Sequence, residues 1–239
     1  MGELQASYRG AKKANAEMKR YIFAGIFGLG GAAILLTLCF WQVQRLAWKE
    51  ALIAEIEAQV DATPVAMPGA PTKADHRFLA VETSGEIGSK AIHVLTSQPN
   101  LGPGYRVIAS LQLSDGRHIL IDRGFIRQSD KDAPLAVGDV SVIGNLDWPQ
   151  ETDSYTPDPD TGTNIWFARD LPAMAAHLGT DPVLLVASTA TGDPSPLAMP
   201  VTVNLRNNHL QYAITWALMA TVWLAMTAYL VIRIRRNTA

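Results

Sequence analysis

Residues 207–216 read Asn-Asn-His-Leu-Gln-Tyr-Ala-Ile-Thr-Trp, and His209 stands one turn before an uncharged apolar run, 213–232. A helix starting near Asn207 places Tyr212, Ala213, Trp216, Ala217 and Ala220 on the face of His209, at helical spacings from three to eleven. Neutral imidazole is the usual proximal ligand of haem iron. The aromatic rings of Tyr212 and Trp216 could stack on a porphyrin, and the alanines leave room for a flat macrocycle. Arg206, one turn earlier, and Arg45, at the close of the first apolar run, could pair with propionates at the polar interface. Yet His, Tyr and Trp also collect at membrane–water interfaces without any ligand. The residues alone therefore leave His209 open between an interfacial side chain and an iron ligand.

Little other chemistry is on offer. His76, His93, His118 and His177 are scattered, with no close-spaced ligand pair. The Gly-Leu-Gly-Gly at 28–31 follows no strand and sits inside an apolar helix, so it is not a phosphate loop. No GxSxG, HExxH or CxxC motif occurs. Cys39 is the single cysteine, which excludes an intrachain disulfide and a thiolate zinc site. Net charge is near neutral but unevenly spread: residues 44–208 carry 12 Lys/Arg against 20 Asp/Glu. An acidic middle excludes a nucleic-acid partner, which needs a basic face.

Two elements must position His209. Residues 21–43 and 213–232 hold no charge, and a helix needs roughly 20 apolar residues to cross the hydrocarbon core. The first run is too long for a cleaved signal peptide. Lys and Arg cluster before the first span (Arg9, Lys12, Lys13, Lys19, Arg20) and after the second (Arg233, Arg235, Arg236), so both termini are expected in the cytoplasm. Small residues recur every fourth position, Ala24, Gly28 and Ala32 in one span and Ala213, Ala217, Thr221 and Ala225 in the other. That spacing lets two backbones approach, although Gly and Ala are also simply common in membranes. Leu46, Ile53, Ile56 and Val60 continue one helical face, so the first helix is expected to run to about residue 60.

Between the spans, strand patterns fall at 80–87, 91–98, 105–113, 117–126, 139–147, 164–171 and 182–188. Asp115-Gly116 marks a hairpin turn. Residues 171–179 read as a short helix, with Pro172 near its start and Gly179 at its end. The expected fold is an α+β membrane protein. Two transmembrane helices flank an antiparallel β-rich extracytoplasmic domain, a sheet or small barrel, with one short helix. The divisions are 1–20 cytoplasmic, 21–43 spanning and helical to about 60, 61–206 periplasmic, 207–232 the second span with its outer turn, and 233–239 cytoplasmic.

The stretches WQVQRLAWKEALI, GYRVIAS, ILIDRGFI, NIWFARDLPAMAAHLG and above all NNHLQYAITW resemble the Surf1 family. The resemblance runs from the first span to the second, and only the RVIAS ending of its second stretch departs from it. It implies a non-enzymatic assembly factor for haem–copper, aa3-type cytochrome c oxidase. It also implies binding of haem a and help with its insertion into subunit I, with haem A synthase as a second partner. The family's histidine falls on His209. The alternative is a haem-independent membrane-anchored scaffold that stabilises a half-built oxidase. Trp41, Gln42, Arg45 and Lys49, and Asp122-Arg123-Gly124, match the family without an implied chemistry. For the arginine and glycine a structural role is expected, such as a hairpin exit with a buried ion pair. Without an Arg- and Ser-rich presequence at the start of the chain, a bacterial inner membrane is expected rather than a mitochondrion.

Overall fold

The computed structural model describes residues 2–192, 195–203 and 205–238. Asp193 and Pro194, in the loop expected before the second span, lie outside the described residues, as do the side chains of Arg9, Lys12 and Lys13 in the basic flank. The chain divides into two compact units, residues 1–53 with 205–239, and residues 54–204.

The first unit is a helix pair. Helix α1 spans Gly2–Val60 and α4 spans His209–Thr238. Both are long and apolar enough to cross a membrane. Their outward faces carry large exposed apolar side chains, among them Ile22, Phe23 and Ile26 on α1 and Leu218, Val222 and Met226 on α4. Water would oppose such a surface, whereas lipid tails accept it. The pair is antiparallel: Gln42 meets His209 at one end, and Gly28 meets Trp223 and Thr227 at the other. Trp223 Nε1 donates to Gly28 O at 2.9 Å. A side chain at residue 28 would run into Thr227, so glycine sets the close approach.

On α1 the contact face keeps the expected small residues, Ala24, Gly28 and Ala32. On α4 the expected stripe holds for Ala213 and Ala217 and then leaves the contact face, because Thr221 and Ala225 are exposed. Past its first turn, the buried or half-buried positions there are Ala213, Trp216, Ala217, Ala220, Trp223, Thr227, Val231 and Ile234. Ala213, Ala220, Thr227 and Ile234 repeat every seven residues, as do Trp216 and Trp223, the spacing of two helices that supercoil left-handedly. A strict four-residue stripe drifts around a straight helix and leaves the partner within a few turns.

The second unit is built on a sheet. Strands β1 (Val65–Ala66), β2 (Ala80–Gln98), β3 (Gly102–Leu113), β4 (His118–Arg127), β5 (Gly138–Asp147), β6 (Ile165–Trp166) and β7 (Asp181–Ala187) form one sheet, with two short helices, α2 (Lys73–His76) and α3 (Leu171–Leu178). Its pairing runs β2-β3-β4-β7-β5, and β5 returns to pair with β2. The result is a closed five-stranded barrel. The sheet is mixed, which corrects the antiparallel expectation: β4 pairs with β7 in parallel, and β1 and β6 each pair with β2 in parallel. The chain leaves β4, makes β5 on the far side, and returns through α3 to lie alongside β4 in the same direction.

Two expected strands, 80–87 and 91–98, are one. β2 is 19 residues long and shifts register against β3 between Ile87 and Ala91. Gly88-Ser89-Lys90 looks like a turn in sequence but acts as an irregularity that bends the strand so that both its halves join the barrel. The Asp115-Gly116 hairpin forms between β3 and β4, with Gly116 at φ 86°. Asp170 caps α3 by accepting from Ala173 N at 3.2 Å, and Gly179 ends it at φ 70°.

Alternation along the strands divides the core. One set, including Ala109, Leu111, Ile119, Ile121, Leu146 and Leu185, forms the larger cluster. The intervening residues Ile108, Leu120, Leu184 and Val186 pack with Met174 and Ala175 of α3. Period-two side chains point to opposite faces, so the two clusters occupy the two faces of the barrel wall.

Candidate functional site

His209 is the first residue of α4, and the Asn208 carbonyl before it accepts the Tyr212 N–H at 3.2 Å. The imidazole is half-buried, and its Nδ1 lies 2.7 Å from Gln42 Oε1 on α1. Gln42 is 9 % exposed. An amide oxygen only accepts, so the contact suits the tautomer that carries its proton on Nδ1 and, in the neutral ring, leaves the lone pair on Nε2. Among the described residues Nε2 has no hydrogen-bond partner. This is how an imidazole is prepared to bind a metal: an acceptor on one nitrogen fixes the ring and tautomer while the other faces outward. Asn207, two residues earlier, has a buried Oδ1 with no partner among the described residues.

The other sequence-predicted residues fall around this pair. Trp216 and Ala213 lie on the helix seam, while Tyr212 is 53 % exposed on the surface of α4. The Arg45 guanidinium sits 4.0 Å over the Trp48 ring, a cation–π contact that stiffens it. Arg206 reaches Asn208, whose amide oxygen, once turned toward its donors, accepts from Nε at 2.9 Å and Nη2 at 3.2 Å. By chain order both arginines lie beyond the His209–Gln42 pair, on the side away from the apolar spans. Gln42 is the site residue that spacing on α4 could not supply. Its signal was one of two amides, Gln42 and Gln44, at the end of an uncharged span. Among the described residues no group of three or more His, Cys, Asp or Glu could hold a metal ion.

A second polar cluster sits in the barrel. Asp122 is 0 % exposed in mid-β4. It accepts from Arg106 Nε at 2.6 Å and from Gly124 N at 3.0 Å, and lies 3.5 Å from Arg169 Nη1. Arg169 in turn holds Glu151, and Arg106 donates to Met199 O at 3.0 Å. Burial pushes the Asp122 carboxyl above its usual range, opposed by the charges of Arg106 and Arg169. Burial works against the Arg169 charge too, but Glu151 and Asp122 outweigh it and hold the guanidinium above its ordinary value.

Arg123, 1 % exposed, points the other way and ties down the loop after β7, donating to Thr191 Oγ1 at 3.1 Å and Thr191 O at 2.9 Å. Burial lowers its pKa. Gly124 adopts φ 109°, and a Cβ there would strike the Leu197 carbonyl. Glycine thus lets residues 197–198 cross β4, where Phe125 and Leu197 exchange backbone hydrogen bonds at 2.7 and 2.9 Å. The expected hairpin exit is corrected on this point: the Asp-Arg-Gly signature lies inside a strand, and its ion pair belongs to the aspartate rather than the arginine.

His93 is 8 % exposed. Its Nδ1 lies 3.2 Å from Asn164 Nδ2, which leaves Nε2 buried without a partner among the described residues. Burial, then the charge of Lys131, lowers its pKa below 6.5, against a smaller pull from Asp132. The unfolded chain therefore takes up this proton first as pH falls. Barrel stability is expected to decline as pH drops below 6.5 toward the lowered folded value, by no more than about 1.4 kcal/mol per pH unit. Urea midpoints measured across that range should fall in the native chain and flatten in His93→Phe. An unchanged slope in the variant would assign the proton to another group.

Residues 29–221 match the family model described as the SURF1 family. That span contains Gln42, Asp122 and His209. The chain is 30 % identical over 219 residues to Surfeit locus protein 1 of Rattus norvegicus, covering 82 % of this chain and 69 % of that protein. It is 30 % identical over 200 residues to Surfeit locus protein 1 of Homo sapiens, covering 74 % and 67 %. A SURF1-like protein of Monosiga brevicollis is 29 % identical over 210 residues, covering 80 % of each.

Proposed function

This chain belongs to the SURF1 family, and from that premise we propose that it is an assembly factor for haem–copper, aa3-type cytochrome c oxidase. In this reading it binds haem a and assists its insertion into subunit I. The observation that carries the proposal is the 2.7 Å contact between His209 Nδ1 and Gln42 Oε1, which leaves a lone pair on a half-buried imidazole at the end of an apolar helix pair.

Haem a, when bound, would supply an iron that takes a nitrogen ligand and a strong visible absorption. The chain's own residues do the rest. Gln42 holds the Nδ1 proton and fixes the ring, so that Nε2 is the ligand atom. Tyr212 and Trp216 offer ring contacts, and Arg45 and Arg206 are the propionate partners. Asn207 Oδ1 adds an unused acceptor. A single imidazole ligand suits a protein that must release its cargo. Haem A synthase is the donor and subunit I the acceptor. Because the tail of haem a is insoluble in water, the exchange takes place in the lipid bilayer. The basic flanks support both termini in the cytoplasm and the barrel in the periplasm of a bacterial inner membrane.

The test is purification of the full chain from cells that co-express haem A synthase. The expected product shows a Soret band and carries subunit I. Gln42→Leu should keep the fold but lose roughly 10- to 100-fold in haem affinity, the usual cost of removing the group that orients a ligating histidine. Subunit I without haem would favour the haem-independent scaffold instead.

A further inference from the structure

The helix pair carries a groove of about 580 Å³, lined by Gly31, Ile34 and Leu35 of α1 and by Leu218, Met219, Val222, Trp223 and Met226 of α4. Every lining side chain is apolar except for the indole nitrogen of Trp223, and that N–H is already bonded to Gly28 O. The groove thus presents no free donor to a polar ligand. Its depth along the pair can be read from either helix. Residues 218–226 follow His209 by 9 to 17 positions, about 14 to 26 Å at 1.5 Å per residue. Residues 35 and 31 precede Gln42 by 7 and 11 positions, about 10 to 16 Å. Both counts place the groove below the imidazole, toward the middle of the spans, at a distance of the same order as an extended farnesyl chain.

We propose that this groove is the seat of the isoprenoid tail of the haem, a binding site separate from the iron ligand; the inference rests on the haem a reading above. Lipid tails are as apolar as the groove, so hydrophobic transfer does not favour the isoprenoid over lipid. Tethering does. Once His209 holds the ring, the tail is presented to the groove intramolecularly, so seating it costs no second association step. The branched chain then gains packing against Leu35, Val222 and the Trp223 ring. This gives the chain a means of telling a farnesylated haem from a plain one without touching the iron.

The experiment uses the full chain in phosphatidylcholine nanodiscs, titrated with haem o and with haem b, which differ in the tail alone. The native chain should bind haem o about tenfold more tightly than haem b, a difference of about 1.4 kcal/mol. Val222→Trp fills the groove from an exposed position. It should bring haem o to the affinity of haem b and leave haem b unchanged. Ala225→Trp, on an exposed position outside the groove, should keep the preference. Equal affinities in the native chain, or a preference that survives Val222→Trp, would overturn the tail site. If haem b still binds through His209 in that case, the ligand assignment stands. If haem b ignores His209→Ala, the haem reading falls and the tail site with it.

Discussion

His209→Ala, purified from cells that make haem A, is expected to emerge without a Soret band while its circular dichroism stays that of the native chain. The size of the effect follows from the donor set. Among the described residues no cluster of ligating side chains stands in reserve, so loss of the imidazole removes the one strong bond to iron. What remains are ring contacts from Trp216, the exposed Tyr212 and two arginines. These cannot replace a coordinate bond, and a fall of at least about 100-fold in affinity is expected. The fold should survive, because His209 is the first residue of α4 and lies on its half-exposed end rather than in the Ala213–Ala220–Thr227 seam. Added imidazole provides a sharper check. It can enter the space left by the side chain, accept orientation from Gln42, and restore the band. In Gln42→Leu/His209→Ala it should restore less. A Soret band of native strength in His209→Ala would remove this residue from the site altogether.

His209 stood out in the sequence as a ring beside an uncharged span, and the residues alone left it open between an interfacial side chain and a ligand. Its partner did not stand out. Gln42 carries no charge, falls in no motif with its own chemistry, and stands 167 positions away. Only the antiparallel docking of α1 on α4 brings the two together. The two apolar runs, the Asp115-Gly116 hairpin, and the capped helix from Leu171 to Leu178 could be read locally, since each depends on neighbours within a few residues. The barrel's closure could not. Gly88-Ser89-Lys90 has the composition of a turn, and nothing local tells a bulge from a reversal. The parallel pairing of β4 with β7 likewise depends on where the chain returns, which is a property of the whole path. The Asp122 network shows the same limit. Arg106, Glu151 and Arg169 are ordinary surface-type residues in sequence, and the closed barrel carries them to one buried carboxylate.

That network sets the second large expectation. Asp122→Ala should destabilise the barrel by about 3 kcal/mol, because it leaves the part-buried Arg106 guanidinium without its carboxylate. Arg169 keeps Glu151, so the damage should centre on Arg106 and the strands that hold it. Chemical denaturation of the full chain would show it as a fall in midpoint, and hydrogen exchange should locate the loosening in β3 and β4. The same logic predicts partial repair. In Asp122→Leu/Arg106→Met the unpaired charge is gone and the volume is roughly kept, so stability should recover toward the native value, as it does when buried ion pairs are replaced whole. Recovery would mean that the ion pair serves less to stabilise β4 than to fix its partners. A pair of guanidiniums converging on one carboxylate admits one register of β3 against β4 and one placement of the Glu151 loop, where an apolar patch would accept several. Were Asp122→Ala to cost less than about 1 kcal/mol, the carboxylate would have to be solvated in solution, and the network would lose its claim to organise the barrel.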